Sequence, residues 1–244
     1  MEANKNTYAL AAIALLQKLI ATPSFSKEED ATAFILFDYL GQNGVTPNRH
    51  LNNVWAANKN FDPAKPTILL NSHHDTVKAN PSWTLDPFSA IEKDGKLIGL
   101  GSNDAGASLV CLISTFCHFY EAQLPFNLVI AATGEEEISG ANGIESLLNS
   151  NEFPEISWAI IGEPTDCQLA IAEKGLMVID AVSKGKSGHA AREEGINAID
   201  LAIEYISKIH AFKFPKISSL LGPVKTTVTV INAGKQHNVI PEIC

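Results

Sequence analysis

Histidines and carboxylates gather in four short stretches of this chain: Asn71-Ser72-His73-His74-Asp75, Gly101-Ser102-Asn103-Asp104, Gly134-Glu135-Glu136-Glu137 and Gly162-Glu163-Pro164-Thr165. Singly, each has an ordinary explanation. A His two residues ahead of an Asp is usually a loop pair, Asp104 just before a helix is a favoured N-cap, and Glu163 before Pro164 reads as a turn residue. The three adjacent glutamates differ, because like charges held together raise one another's pKa unless a cation is near. In an extended segment Glu135 and Glu137 would point one way and Glu136 the other, so the three divide their work. Combined, the stretches offer what two divalent cations about 3.5–4 Å apart require: terminal His and carboxylate ligands, one shared carboxylate, and a separate carboxylate to handle protons. The chemistry this suits is metal-assisted hydrolysis.

Such residues need a scaffold that presents them along one edge. Apolar runs over 67–70, 128–132 and 158–161 lead into three of the four stretches, and a further run covers 54–57. They read as strands buried on both faces. Helices over 106–120 and 142–148 alternate with them, predicting an α/β fold with a mostly parallel sheet, at whose carboxyl edge ligands gather. Ahead of the strands, Leu10, Ile13, Leu16, Leu19 and Ile20 recur at helical spacing and predict an amphipathic first helix. Ser26-Lys27-Glu28-Glu29 has the form of a capping box, opening a second helix through Phe34, Ile35, Phe37 and Leu40 that stops near Gly41 and Gly44. After about Lys174 the texture changes. A strand over 177–183, a helix over 197–210 and an alternating strand over 226–232 predict a smaller α+β domain, giving domains at 1–174 and 175–244.

Composition narrows the partners. With 244 residues, 45% of them hydrophobic, the chain can bury a sizeable core. A net charge of −9 argues against nucleic acid or an anionic membrane and for a small molecule. Cys111, Cys117, Cys167 and Cys244 form no CxxC pair, so neither a disulfide framework nor a zinc knuckle is indicated, and a reducing, cytoplasmic compartment is expected. The apolar run over 9–16 is followed by no small-residue cleavage site of a signal peptide, and no stretch is long and apolar enough to span a membrane.

In order along nearly the whole chain, Ser72-His73-His74-Asp75-Thr76-Val77, residues 99–106, residues 133–137, Gly162-Glu163-Pro164-Thr165 and residues 185–190 resemble the acetylornithine deacetylase and succinyl-diaminopimelate desuccinylase family of metallopeptidase-like amidohydrolases. The resemblance implies two zinc ions per complete site, with cobalt able to substitute. It implies His73 and Glu163 on the first metal, Glu137 on the second and Asp104 bridging both. Asp75 is then the residue that orients His73, Glu136 the general base, and His74, on the opposite strand face, structural. A cis peptide bond from Asp104 to Ala105 is implied as well.

For the fold, the resemblance implies a zinc exopeptidase-like catalytic domain and a ferredoxin-like lid that forms a homodimer, with His189 reaching the reacting carbonyl and Asn238 near the substrate. The reaction implied is removal of the acyl group from an N-acyl amino acid. Segments 172–177 and 232–241 look most like deacetylase-type members, which points to N-acetylornithine or N-succinylornithine in arginine biosynthesis. Desuccinylation of succinyl-diaminopimelate and dipeptide cleavage are the alternatives within the family. Because family members run on to supply a final His to the second metal, the chain is expected to be C-terminally truncated. A non-catalytic metal-binding or interaction protein is the alternative of a different class.

Overall fold

The computed structural model describes residues 2–244, with side chains from Thr7 onward. The chain divides into two compact units, Met1–Cys167 and Gln168–Cys244, so the border falls a few residues ahead of the expected Lys174. In chain order the first unit holds α1 (Glu2–Ile20), α2 (Asp30–Gln42), β1 (Asn48–His50), β2 (Asn53–Ala57), β3 (Thr67–His73), β4 (Ile91–Lys93), β5 (Lys96–Ile98), α3 (Ala107–Phe119), β6 (Asn127–Thr133), α4 (Ile144–Leu148) and β7 (Trp158–Ile161).

Five strands form the main sheet in the order β1-β2-β6-β3-β7. β3 is parallel to both β6 and β7, whereas β2 runs antiparallel to β6 and β1 antiparallel to β2. The sheet is therefore mixed, not mostly parallel as expected. β1 and β2 pair antiparallel because they are joined by the short turn at Leu51 and Asn52, which leaves no room for a crossover helix. β2, β3 and β6 are covered on both faces. Val54, Ala56, Leu70, Leu128, Ile130 and Ala132 pack with Leu15, Leu36, Leu109 and Phe116 from α1, α2 and α3. On the opposite face Trp55, Leu69, Val129 and Ala131 pack with Leu147 and Phe153. β7 departs from the expectation: it is an edge strand and all four of its residues are exposed.

Both opening helices form, and Leu16, Leu19, Ile20 and Leu40 are buried as expected, but other residues of the expected apolar pattern are not. In α1 the buried stripe is Ala12, Leu15, Leu16, Leu19 and Ile20, while Leu10 and Ile13 face outward. In α2 it is Thr32, Ala33, Leu36 and Leu40, while Phe34 and Phe37 are exposed. Nor does Ser26 cap α2. Its hydroxyl donates to the Asp75 carboxylate at 2.7 Å, and Glu29 at the N-cap position makes no side-chain capping bond. Long-range carboxylate partners outcompeted the local motif.

The second unit contains β8 (Gly188–His189), α5 (Ala198–Ala211) and β9 (Val239–Ile240), with β8 and β9 antiparallel. The helix forms as expected, with the Asn197 side chain accepting from the Ile199 N–H at 2.9 Å. The expected strands over 177–183 and 226–232 do not. Apart from Ser183, which exchanges backbone hydrogen bonds with Cys244, those segments have no ladder of backbone partners, and without one an alternating sequence has nothing to hold it extended. No helix among the described residues is long and apolar enough to cross a membrane.

Candidate metal centre

Parallel pairing is what assembles this centre. Because β6, β3 and β7 run the same way, their carboxyl ends meet at one edge: His73 lies opposite Thr133, and Asn71 opposite Ile161. The residues that follow each strand then share one space. Side chains lock the edge: Asn71 Nδ2 donates to the Ala131 carbonyl at 3.0 Å, and Ser72 Oγ to the Gly162 carbonyl at 2.7 Å, fixing the chain just before Glu163.

His73 ends β3 and is fully buried, with its ring edge facing the opening. Nδ1 lies 3.0 Å from the Asp75 carbonyl oxygen and 3.4 Å from the Asp75 carboxylate. A carbonyl can only accept, so Nδ1 carries a hydrogen, and Nε2 is the nitrogen whose lone pair a metal would take once the ring's second proton leaves. Around Nε2 stand Asp104 at 3.0 Å, Glu136 at 3.8 Å and Glu163 at 3.9 Å. Ligand atoms of His73, Asp104 and Glu137 all lie within 4.8 Å of one another.

Asp104 comes from the wide turn Ser102–Gly106 that precedes α3, and is no helix cap. Gly101 enters this turn at φ 71°, where a Cβ would press on the Thr76 methyl at 2.5 Å, so only glycine suits both the backbone and the space. The Asp104–Ala105 peptide bond is cis, as the family resemblance implies.

The triple-glutamate stretch is not extended, which corrects the expected alternation of its side chains. Glu135 takes a left-handed backbone at φ 55°, and Glu136–Ile138 form one 3₁₀ turn. Glu135 is thereby swung into the interior, where its carboxylate accepts from Asn142 Nδ2 at 2.8 Å. Glu136 and Glu137 are left on the side of His73. Their N–H groups donate to the two Asp75 carboxylate oxygens, at 3.1 and 3.2 Å. Asp75 therefore ties the histidine's end of the site to the glutamates' end.

Electrostatics match the crowding. Burial pushes the pKa values of Glu137 and Glu163 up, and neighbouring carboxylates push them further. Burial opposes a charge on His73, yet Asp75, Glu163 and Asp104 outweigh it and raise its pKa to about 9. Burial likewise opposes ionisation of Asp75, but His73, Ser26 and the two backbone N–H groups prevail and hold it below the usual carboxylate range. The cluster thus gathers positive charge, and a proton on His73 stands where a cation would otherwise balance it. One imidazole nitrogen and three converging carboxylates form a donor set that fits a borderline divalent cation such as zinc. His74, one residue on, plays no part in this. It is buried and held neutral by burial, with Nε2–H donating to the Asn52 carbonyl and Nδ1 meeting the Thr32 hydroxyl at 2.8 Å.

His189 and Asn238 lie together in the second unit. His189 pairs with Val239 across β8 and β9, and the Asn238 carbonyl accepts from the Ala190 N–H at 3.0 Å. Sequence reasoning missed Ser26, Glu29 and Asn53, whose Oδ1 accepts from the Gly134 N–H at 3.1 Å, as supports of the centre. For Glu29 a signal existed: it falls at positions 29, 33, 36 and 40 on the buried stripe of α2, where an unpaired charge has no ordinary place.

Comparison with known proteins accords with this geometry. The sequence profile of peptidase family M20/M25/M40 matches residues 69–237. An acetylornithine deacetylase of Proteus mirabilis is 33% identical over 214 residues, covering 82% of this chain and 55% of the relative. A Staphylococcus aureus protein named "probable succinyl-diaminopimelate desuccinylase" is 30% identical over 227 residues, covering 80% of this chain and 56% of the relative. The chain thus spans about half the length of the curated relatives it matches. In fold it is similar to a dinuclear metal-binding peptidase of the M20 family from Bacillus subtilis, with a TM-score of 0.62 at 18% identity over 98% of this chain and 62% of that one. The profile match over residues 69–237, together with relatives at 30% and 33% identity, establishes that the chain belongs to peptidase family M20/M25/M40.

Proposed function

We propose that the chain carries the catalytic half-site of a zinc-dependent amidohydrolase that removes the acyl group from an N-acyl amino acid, with N-acetylornithine or N-succinylornithine the substrate. The observation that carries this reading is the convergence on one buried imidazole: Asp104, Glu136 and Glu163 stand 3.0, 3.8 and 3.9 Å from His73 Nε2, and a Glu137 oxygen lies within 4.8 Å of the ligand atoms of His73 and Asp104. Among these carboxylates Glu136 is the one to which the family resemblance assigns no metal, which leaves it to carry protons.

In this reading His73, Asp104 and Glu163 hold the first metal, and Asp104 and Glu137 contribute to the second. The bound cations would supply a water of lowered pKa and polarise the amide carbonyl. Glu136 takes the proton of the attacking water and delivers it to the departing amine. Asp75 keeps His73 in the tautomer that offers Nε2 and, through two backbone N–H groups, keeps Glu136 and Glu137 at their distance from it. His189 and Asn238, on what is proposed to be a lid that also forms a homodimer, would meet the substrate's carbonyl and backbone. The Proteus relative's name supports the acetyl reading, and the Staphylococcus relative's name supports removal of a succinyl group by the same centre. The free thiols fit a reducing, cytoplasmic setting.

The test is Glu136→Gln in the full-length protein, assayed on N-acetylornithine and N-succinyl-diaminopimelate with metal content measured alongside. General-base loss predicts a fall in turnover of about 10²–10⁴-fold with bound metal unchanged. Turnover within tenfold of wild type would sink the assignment.

A further inference from the structure

Three consecutive backbone N–H groups lead through the turn that carries the proposed base and ligand, and each ends on a buried carboxylate. Glu136 and Glu137 donate to Asp75. Glu135 donates to Glu29 Oε1 at 3.0 Å, and that same oxygen accepts from the Lys27 N–H at 2.7 Å. Glu29 Oε2 accepts from Asn52 Nδ2 at 2.9 Å. Glu29 is fully buried, and no cation pairs with it in any of these contacts. A buried carboxylate without a cation is costly and persists where several N–H donors converge on it, each bond charge-assisted.

The placement is tight on the far side too. A Cβ on Gly134 would meet the Glu29 carboxyl at 3.2 Å, and one on Gly140 would collide with the Glu135 carboxylate. Glu29 therefore fixes the residue whose left-handed backbone turns the chain out of β6. Where Glu135 sits decides where Glu136 and Glu137 point.

We propose that Glu29 is a positioning residue of the metal centre, acting through the Glu135 N–H to set the turn that presents Glu136 and Glu137. The inference rests on the reading of Glu137 as a metal ligand. It does not follow from Glu29's place in α2, since a helix cap could be supplied by solvent or by another side chain.

Glu29→Ala, Glu29→Asp and Glu29→Gln separate this from a merely structural role. Gln keeps an oxygen in the Oε1 position for both backbone N–H groups and gives up only the bond that Oε2 accepts from Asn52 Nδ2, which lies outside the turn. Asp keeps the charge but withdraws it from the Glu135 N–H, and Ala removes the acceptor. Zinc affinity of the purified chain, read by calorimetry well below the melting transition, should fall about tenfold in Glu29→Ala and Glu29→Asp and be rescued in Glu29→Gln. The cobalt absorption spectrum should shift in the first two alone. Should Glu29→Ala not fold, Glu29→Asp decides. Zinc affinity and cobalt spectrum unchanged in Glu29→Asp would overturn the inference. His73→Ala and Asp104→Ala are the controls: if they too leave zinc affinity unchanged, the metal reading itself fails, and if they abolish it while Glu29→Asp does not, only the role of Glu29 fails.

Discussion

The two units of this chain spend similar apolar sequence very differently. Between residues 127 and 133 the first unit buries every position, on two faces of a sheet. In the second unit Leu176, Met177, Val178 and Ile179 are as apolar, yet at least 77% exposed. The difference is one of partners. β6 has a hydrogen-bonded strand on each side, while residues 176–179 have none, so their side chains have no pleated surface to stand on. Burial, and with it the precision of a site, follows from long-range pairing more than from local hydrophobicity.

If that contrast is right, core truncations should divide sharply between the units. Phe116→Ala, in the fully buried heart of the first unit, should cost about 3–5 kcal/mol of stability. Denaturant unfolding followed by far-ultraviolet circular dichroism measures it, and a cost under about 1 kcal/mol would break the comparison. The next effect separates the units by pH. In the metal-free folded chain His73 titrates near 9, against an ordinary value of 6.5. Its stabilising contribution is complete below pH 6.5 and disappears as pH rises through 9. A metal must displace that proton, so apparent zinc affinity should rise by up to about tenfold per pH unit across this window and level off above it. Calorimetric titration at several pH values checks this, and a flat profile would mean that His73 is not a ligand. The smallest effect sharpens the other side: Val178→Ala should change stability by no more than about 0.5 kcal/mol.

The sequence disclosed the centre better than its supports. His73, Asp104, Glu137 and Glu163 were visible because their types are unusual at strand ends and because three strands lead into them. For His73, Glu137 and Glu163 convergence depends on parallel pairing of β6, β3 and β7, which the apolar runs already suggest, whereas Asp104 is brought in by the turn ahead of α3. Ser26 and Glu29 were misread because a capping box is a local pattern, whereas their partners Asp75 and Glu135 lie 49 and 106 residues away. The outward residues of α1 and α2 have the same origin. Leu10, Ile13, Phe34 and Phe37 fit the helical period, and only the position of the sheet decides which stripe is covered. For 177–183 and 226–232, alternation announced strands, but alternation carries no information about whether a partner strand exists.

The central claim is that His73 and Glu163 hold a divalent metal with Asp104, which with Glu137 serves a second, while Glu136 beside them moves protons. Zinc titration of the wild-type chain against Asp104→Ala and Glu136→Gln tests it most directly. The account predicts that binding is lost in Asp104→Ala and kept at wild-type affinity in Glu136→Gln. Equal binding in all three, or loss in Glu136→Gln to the same extent as in Asp104→Ala, would contradict it.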